Sequence, residues 1–200
     1  MVTLYVKAEG QDTVMNVIAS MAARGVNTRP LMGQIGEIIR GSVTRNFESE
    51  GRPEKWKPIS ELTKKIYDAS VLEQLHGSKG YQRIKKAETR KKWEETALGQ
   101  QSNKILHREG DLKKSIDIGK ITNTSVEIGS SLPYARIHQL GGEIKPKNKR
   151  ALLIPVGGRF LMVKKVTIPA RPYLVLQEED NTAILRVTKD YIMEAANNVR

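Results

Sequence analysis

The chain contains no cysteine among its 200 residues. This absence excludes disulfide bonds and thiolate metal ligands, and it is compatible with a reducing cytoplasm. The sequence also lacks any run of about 18 apolar residues, so we expect no membrane-spanning helix and no membrane partner. Its first residues, Met1–Glu9, do not have the basic-then-apolar order of a secretion signal.

Groups suited to catalysis are also scarce. The three histidines, His76, His107 and His138, lie far apart, and none of them has a spacing typical of metal ligands. The pairs Gly141-Gly142 and Gly157-Gly158 fit neither of the common phosphate-binding glycine patterns, and no nucleophile elbow is present. We therefore expect no enzymatic activity, no metal and no cofactor.

Aromatic residues make up only 5% of the chain, whereas the net charge is +12. A charge of this size favours nucleic acid, an anionic membrane or acidic protein surfaces as partners. Proteins that bind single strands interleave basic residues with stacking rings, and this pattern is missing here. Any contact with DNA would therefore involve the phosphates of a duplex, without sequence preference.

The basic residues are most concentrated over residues 79–92, which hold seven basic residues and one acid, Glu88. Two interpretations are equally open: a solvated helix face, or a face directed at DNA or at a protein partner. The residues assigned to this basic patch are Arg83, Lys85, Lys86, Arg90, Lys91 and Lys92.

The first half of the chain reads mainly as helix. Alternation over residues 3–8 predicts a half-buried strand, followed by a helix that Asp12 caps and Gly25 ends. A second helix begins near Pro30, and its glycines permit close packing either against a sheet or between subunits. Residues 60–103 are predicted to form an inserted helical hairpin.

The second half of the chain reads mainly as strand. Alternating patterns over residues 112–119 and 125–129 predict one hairpin. A second hairpin, the predicted arm over residues 143–166, has strands at 151–156 and 159–166 and turns at Gly157-Gly158. Acidic residues from Glu178 onward begin a final helix, because negative charge is favourable at a helix N-terminus. This order predicts an α+β fold in which helices pack on a mainly antiparallel sheet, with a helical hairpin inserted and a β-hairpin protruding.

A short helix is predicted between two of these strands. Pro133 suits its first position, and Gly141 follows its last apolar residue, where a left-handed cap costs least. Tyr134 and His138 then share one face. Together with Trp56 from an earlier loop, they are predicted to organise the core, and His138 is expected to bond a backbone carbonyl beneath Tyr134.

The segment over residues 168–174 is predicted to be a stiff edge strand. Pro169 and Pro172 hold the backbone extended and cannot donate a full ladder of hydrogen bonds. A projecting Arg171 and Tyr173 would suit docking by a neighbouring subunit. The alternative is an edge strand that proline protects from aggregation.

Five motifs connect this chain to a known group of proteins. They are W-K-P-I-S-E-L-T at 56–63, K-I-L-H-R-E-G-D-L-K-K-S-I at 104–116, V-E-I-G-S at 126–130, Y-A-R-I-H-Q-L-G-G at 134–142 and I-P-A-R-P-Y-L at 168–174. In this order they resemble the virion morphogenesis family of tailed bacteriophages, which includes the tail-completion proteins of Mu-like phages. The family usually has Thr-Gly where this chain has Glu109-Gly110.

The resemblance implies one tail-completion-like domain over residues 1–200. It implies a structural protein of the virion tail or neck, present in the host cytoplasm during assembly. Such a protein would complete the tail or join it to the head as one subunit of a homo-oligomeric ring, in contact with other tail or neck proteins. The alternative is a nonspecific, basic DNA-binding protein. The residues assigned to subunit or partner contacts are Arg171, Tyr173, Arg159, Lys164 and Lys165.

Overall fold

The computed structural model describes residues 16–21, 26–100, 104–107 and 110–197. The strand predicted over residues 3–8 and the helix limits predicted at Asp12 and Gly25 lie outside these residues.

The described residues form an α+β fold, as the sequence predicts. The helices are α1 (16–21), α2 (Arg29–Glu48), α3 (Glu61–Gly77), α4 (Lys79–Gln82), α5 (Ala87–Gln100), α6 (Asp111–Lys114), α7 (Ala135–Leu140) and α8 (Glu178–Asn197). The strands are β1 (Ile116–Ile121), β2 (Val126–Ser130), β3 (Gly142–Ile144), β4 (Leu152–Val156), β5 (Arg159–Val163) and β6 (Val166–Ile168). None of these helices is both long and apolar enough to cross a lipid bilayer.

Helix α2 is central to the fold, because it packs against α8 and against the β1–β2 pair. It begins after Thr28 with a proline in its first turn, where the missing N–H removes no hydrogen bond. Gly36 lets the strands approach closely, since a Cβ at this position would lie 3.0 Å from side-chain atoms of Ile118 and Val126. Of the two interpretations of the α2 glycines, Gly36 supports packing within the subunit.

Two clusters of buried apolar side chains lie along α2. The first contains Val43, Phe47, Trp56, Ile105, Leu112, Ile116, Ala135, Tyr173 and Leu174. The second contains Ile18, Leu31, Met32, Ile35 and Ile184. Each cluster takes residues three or four apart from α2, which is the spacing of side chains on one helix face.

The strands form three separate antiparallel pairs, β1–β2, β3–β6 and β4–β5. The last two pairs make up the β-arm, residues 142–168, with β3–β6 at its base and β4–β5 at its tip. Gly157 and Gly158 join the tip strands with φ values of +54° and +73°, in the left-handed region that a two-residue hairpin turn requires. The strand predicted from Arg159 to Val166 is divided, because β5 ends at Val163 and Val166 belongs to β6.

The strand predicted over residues 112–119 begins later than expected. Residues Asp111–Lys114 form the short helix α6, and β1 begins only at Ile116. Leu112 and Ile116 are both buried, and their spacing of four residues is that of one helical turn. The apolar pattern at this point is therefore a turn of helix leading into a strand.

The predicted insertion forms a helical hairpin, residues 61–100. Helices α3 and α5 pack directly against each other, and the short helix α4 connects them and also contacts α3. Neither α3 nor α5 contains a buried residue, so the hairpin stands off the core. Tyr81 of α4 anchors it internally: its ring stacks on His76 with centroids 4.7 Å apart, and its hydroxyl donates to Glu94. Helix α3 also contacts β4, so the hairpin and the β-arm touch.

Candidate assembly surfaces

The segment after β6 is buried in the core and does not form an edge strand. Arg171 is only 7% exposed, and its Nε and Nη2 donate to the carbonyl oxygens of Lys57 and Pro58 at 3.1 and 3.2 Å. Its backbone N–H donates to the carbonyl of His138 at 2.8 Å. The prediction that Arg171 projects toward a neighbouring subunit is therefore wrong, because its guanidinium joins two loops inside the subunit.

Tyr173 is also buried, with no exposed surface. Its hydroxyl donates to the carbonyl of Ala135 at 2.9 Å, and its backbone N–H donates to Oε1 of Gln139 at 2.9 Å. Burial raises the pKa of Tyr173 to about 12. The predicted projection of this side chain is wrong as well, since a side chain without exposed surface cannot contact a partner.

Trp56 lies in the first core cluster, 7% exposed. Its Nε1 donates to the carbonyl of Pro172 at 2.9 Å, and its ring meets Phe47 edge-on with centroids 5.6 Å apart. A tryptophan buried in this way needs a partner for its N–H. The loop before α3 is therefore fixed against the segment that carries Arg171 and Tyr173.

Tyr134 is not a core residue, because its side chain is 41% exposed. Helix α7 begins at Ala135, two residues after Pro133, and it buries Ala135 and Gln139 instead. The ring of Tyr134 meets His138 edge-on at a centroid distance of 6.0 Å. The prediction that Tyr134 organises the core is wrong, because α7 turns the face of Ala135 and Gln139 toward the core and not the predicted face of Tyr134 and His138.

His138 is half-buried, and its Nδ1 is buried without a hydrogen-bond partner. The bond expected from this ring to a backbone carbonyl is therefore not made by Nδ1. Burial, and after it the charge of Arg171, lower the pKa of His138 below its ordinary value. The ring is consequently neutral near pH 7.

A polar junction at the start of α8 is not among the features predicted from the sequence. The Asp180 side chain is almost fully buried. It accepts hydrogen bonds from Nη2 of Arg45 at 2.6 Å and from the backbone N–H of Gln177 at 2.8 Å. The hydroxyl of Ser42 donates a third hydrogen bond to it. For Asp180 the sequence predicts only a favourable charge at a helix start. Gln177 precedes the first residue of α8, and an acid three residues after such an N-cap position often accepts a hydrogen bond from its backbone N–H. This spacing is the sequence signal for the bond between Asp180 and Gln177.

The β-arm carries the other predicted contact residues. Arg159, Lys164 and Lys165 are all exposed. Lys165 forms an ion pair with Glu143 at 2.6 Å across the base of the arm. Among the described parts of the chain, large exposed apolar side chains are also concentrated here, at Leu153, Phe160, Leu161 and Met162. They are not among the contact residues predicted from the sequence.

The basic patch lies on the helical hairpin, and each of its six residues is exposed. Arg90 is partly engaged within the hairpin, because its Nε donates to the carbonyl of Ile84 at 2.8 Å and its guanidinium lies 5.7 Å from the centre of the Tyr81 ring. Lys91 approaches Glu95 at 4.0 Å. The patch is therefore an exposed set of cations on an outlying element, with Arg90 facing inward in part.

Acids and histidines do not converge in the part of the chain that the structure describes, where no group of three or more is placed to hold a metal ion. Within the described residues, the predicted contact residues that are exposed lie on two elements, the apolar and basic β-arm and the basic helical hairpin.

The chain is similar to known proteins over most of its length. Residues 10–193 match the phage virion morphogenesis family. One relative, the Mu-like prophage FluMu G protein 2 of Haemophilus influenzae, is 25% identical over 188 residues, which cover 94% of this chain and 95% of the relative. No solved structure matches the chain significantly. The family resemblance drawn from the five motifs is thus confirmed, and the chain belongs to the phage virion morphogenesis family.

Proposed function

We propose that this chain is a structural subunit that completes the phage tail or joins the tail to the head. The observation that carries the proposal is the match of nearly the whole chain, residues 10–193, to a virion morphogenesis family. The relative named for a Mu-like prophage supports the same setting. The protein acts without catalysis or cofactor, in the tail or neck of the virion, after assembly in the host cytoplasm.

In this proposal the subunits form a ring at the end of the tail nearest the head. Rings arise when one surface of a subunit binds a different surface of the next and the rotation closes. The β-arm and the helical hairpin are the candidate contact elements, because both stand outside the two core clusters. Exposed apolar patches on such elements are typical of protein interfaces.

Deletion of the gene from the phage tests the proposal. Negative-stain images of the deletion lysate should contain unjoined heads and tails, or tails of aberrant length. Wild-type protein supplied in trans should restore normal virions. Normal virions without any such supply would contradict a role in tail completion or joining.

Light scattering during size-exclusion chromatography tests the ring separately. The purified protein, alone or mixed with tails from the deletion lysate, should form one oligomer of defined mass. A protein that stays strictly monomeric in both settings would contradict the ring.

A second candidate function is nonspecific DNA binding, favoured by the exposed basic patch on the helical hairpin and by the net charge of +12. Binding of random duplex DNA with steep salt dependence, combined with normal virions on deletion, would favour this function over tail completion.

A further inference from the structure

The register of the β-arm tip places four apolar residues on one face. Leu153 pairs with Met162, and Pro155 pairs with Phe160. Side chains of directly paired residues lie on the same side of an antiparallel sheet, and so do residues two apart along a strand. These four residues therefore form a continuous apolar surface, here called the outer face of the tip.

The outer face is exposed to a degree that is unusual for such residues. Leu153 is 54% exposed, Phe160 69% and Met162 71%, and Pro155 is exposed as well. Isolated exposed apolar residues are common, but a contiguous group on one small sheet marks a surface that binds something.

The opposite face of the tip is partly covered by the chain itself. Leu152, Ile154 and Val156, which alternate with the outer-face residues of β4, are all half-buried. Helix α3 packs against β4, and a Cβ at Gly157 would lie 3.4 Å from Cβ of Ala69. Helix α3 therefore covers the β4 side of this face, although Leu161 of β5 on the same face remains 39% exposed, and it leaves the outer face open.

The charge around the outer face indicates what covers it. Residues 143–166 contain seven basic residues and one acid, Glu143. This acid is already paired with Lys145 at 3.0 Å and with Lys165 at 2.6 Å. The arm consequently presents an excess of positive charge that an acidic surface would complement, whereas a second copy of this chain carries a net charge of +12 and would offer mostly like charge.

We infer that the outer face of the tip docks on an apolar patch, surrounded by acidic residues, of a virion protein other than this chain. The apolar residues Phe160 and Met162 are the centre of the contact. Lys164 follows them just after β5 and supplies charge beside this face, and Arg159, which pairs with Val156 on the opposite face, adds positive charge at the turn end of the tip. This inference rests on the proposed function only in taking the partner from the virion.

Photo-crosslinking in the assembling phage identifies the partner. The deletion phage is complemented with protein that carries p-benzoylphenylalanine at position 160, and the crosslinked protein is identified by mass spectrometry. The control carries the same group at Met193 on α8, which is 57% exposed. We expect position 160, and not position 193, to crosslink to one acidic virion protein. Crosslinks from position 160 to a second copy of this chain, to DNA or to nothing would overturn the inference.

Binding measurements on particles purified from the deletion lysate test the contact residues. The double variant Phe160→Ser with Met162→Ser should bind at least about 30-fold more weakly than wild type, because two central apolar contacts are lost. The control Leu185→Ser with Met193→Ser, which removes two similarly exposed apolar residues from α8, should bind within about 3-fold of wild type. Equal binding by the two double variants would overturn the inference, provided that circular dichroism shows both to be folded.

Charge reversal tests the acidic nature of the partner. Arg159→Glu with Lys164→Glu should slow association with these particles by at least about 10-fold at low salt and much less at high salt. Unchanged association would overturn the acidic partner. The result of the deletion experiment is independent of these outcomes: unjoined tails on deletion, together with a crosslink from position 160 to a second copy, would retain the proposed function and eliminate this inference alone.

Discussion

Arg171 acts at the residue scale as an internal tie between two loops. Its guanidinium bonds the carbonyls of Lys57 and Pro58, and its burial lowers its pKa. Replacing it with alanine removes both charge-assisted bonds, so Arg171→Ala should lower the free energy of unfolding by about 2–3 kcal/mol. Urea denaturation followed by circular dichroism measures this change.

Lys164 offers the matched control for that substitution. It is exposed on the β-arm, and Lys164→Ala should change the free energy of unfolding by less than about 0.5 kcal/mol. Stability losses of equal size in the two variants would contradict the buried role of Arg171, and so would a fully stable Arg171→Ala protein that fails only in assembly.

His138 should make stability depend on pH. Burial and Arg171 lower its pKa in the folded protein, whereas in the unfolded chain the ring titrates near 6.5. Below that pH the unfolded chain therefore binds a proton that the folded protein resists, so the stability present above pH ~6.5 is lost as the pH falls toward the folded pKa. Urea denaturation at pH 7.5 and at pH 5 should show a smaller difference for His138→Gln than for wild type.

The variant His76→Gln controls for the loss of a histidine as such. His76 is exposed on the helical hairpin, far from Arg171 in sequence, and its removal should leave intact the part of the pH dependence that His138 causes. If His138→Gln keeps the full dependence of the wild type, the buried ring is not its source.

At the scale of elements, Gly141 determines how α7 passes into β3. Its φ is +69° and its ψ is −179°, a backbone conformation that is essentially restricted to glycine. A Cβ there would also lie 2.6 Å from the backbone nitrogen of Ala170. We therefore expect Gly141→Ala to lower the free energy of unfolding by roughly 2–3 kcal/mol in thermal or urea denaturation.

Replacing Gly33 with alanine should have the opposite effect on stability from the same replacement at Gly141. It lies within α2 with ordinary helical geometry, and a Cβ there would meet nothing within 4 Å. Because alanine is a better helix former, Gly33→Ala should raise the stability by up to about 1 kcal/mol. A loss of stability at Gly33 would show that this glycine is needed for a close approach that the described residues do not reveal.

Elements fixed by local chemistry were predictable from the sequence. The hairpin turn at Gly157-Gly158 and the helix end at Gly141 both need positive φ, and both occur where predicted. The core role of Arg171 and Tyr173 was not predictable in the same way. Their partners lie more than 30 residues away in sequence, and proline spacing alone describes an extended chain equally well in a core or at an edge.

The face of α7 was misjudged for a related reason. The sequence predicts Pro133 at the first position of the helix, whereas the helix begins at Ala135. The residues that face the core, Ala135 and Gln139, each come one position after the predicted pair Tyr134 and His138, and one position turns the face of an α-helix by about 100°. Ala135 and Gln139 therefore face the core, and Tyr134 faces outward.

At the scale of the whole molecule, charge is distributed unevenly over the fold. The helical hairpin and the β-arm stand outside the core clusters, touch through α3 and β4, and carry dense groups of basic residues. Positive charge concentrated on outlying elements raises the rate of encounter with any acidic partner. It also predicts that the purified protein binds duplex DNA at low salt whatever its role in the virion.

Two matched variants test that prediction. In each variant, five basic residues are replaced by glutamine. The patch variant replaces Arg83, Lys85, Lys86, Lys91 and Lys92. The control variant replaces five exposed cations elsewhere, Arg29, Lys120, Arg136, Arg186 and Lys189. Both lower the net charge by the same amount, so a difference between them reports on position and not on total charge.

Salt titration of binding to a random duplex, followed by fluorescence anisotropy, separates the two roles of the basic patch. Each phosphate contact contributes about 0.9 to the slope of log K against log salt, so a patch that lies on DNA should lose up to about 4.5 from that slope when its five cations are removed. The control should lose clearly less. Equal losses would mean that DNA senses only the net charge of +12, and the patch would then be a solvated face or a surface for a protein partner. Because neither variant alters the outer face of the β-arm, restoration of virions in the deletion phage by the patch variant would show that tail completion does not require the patch.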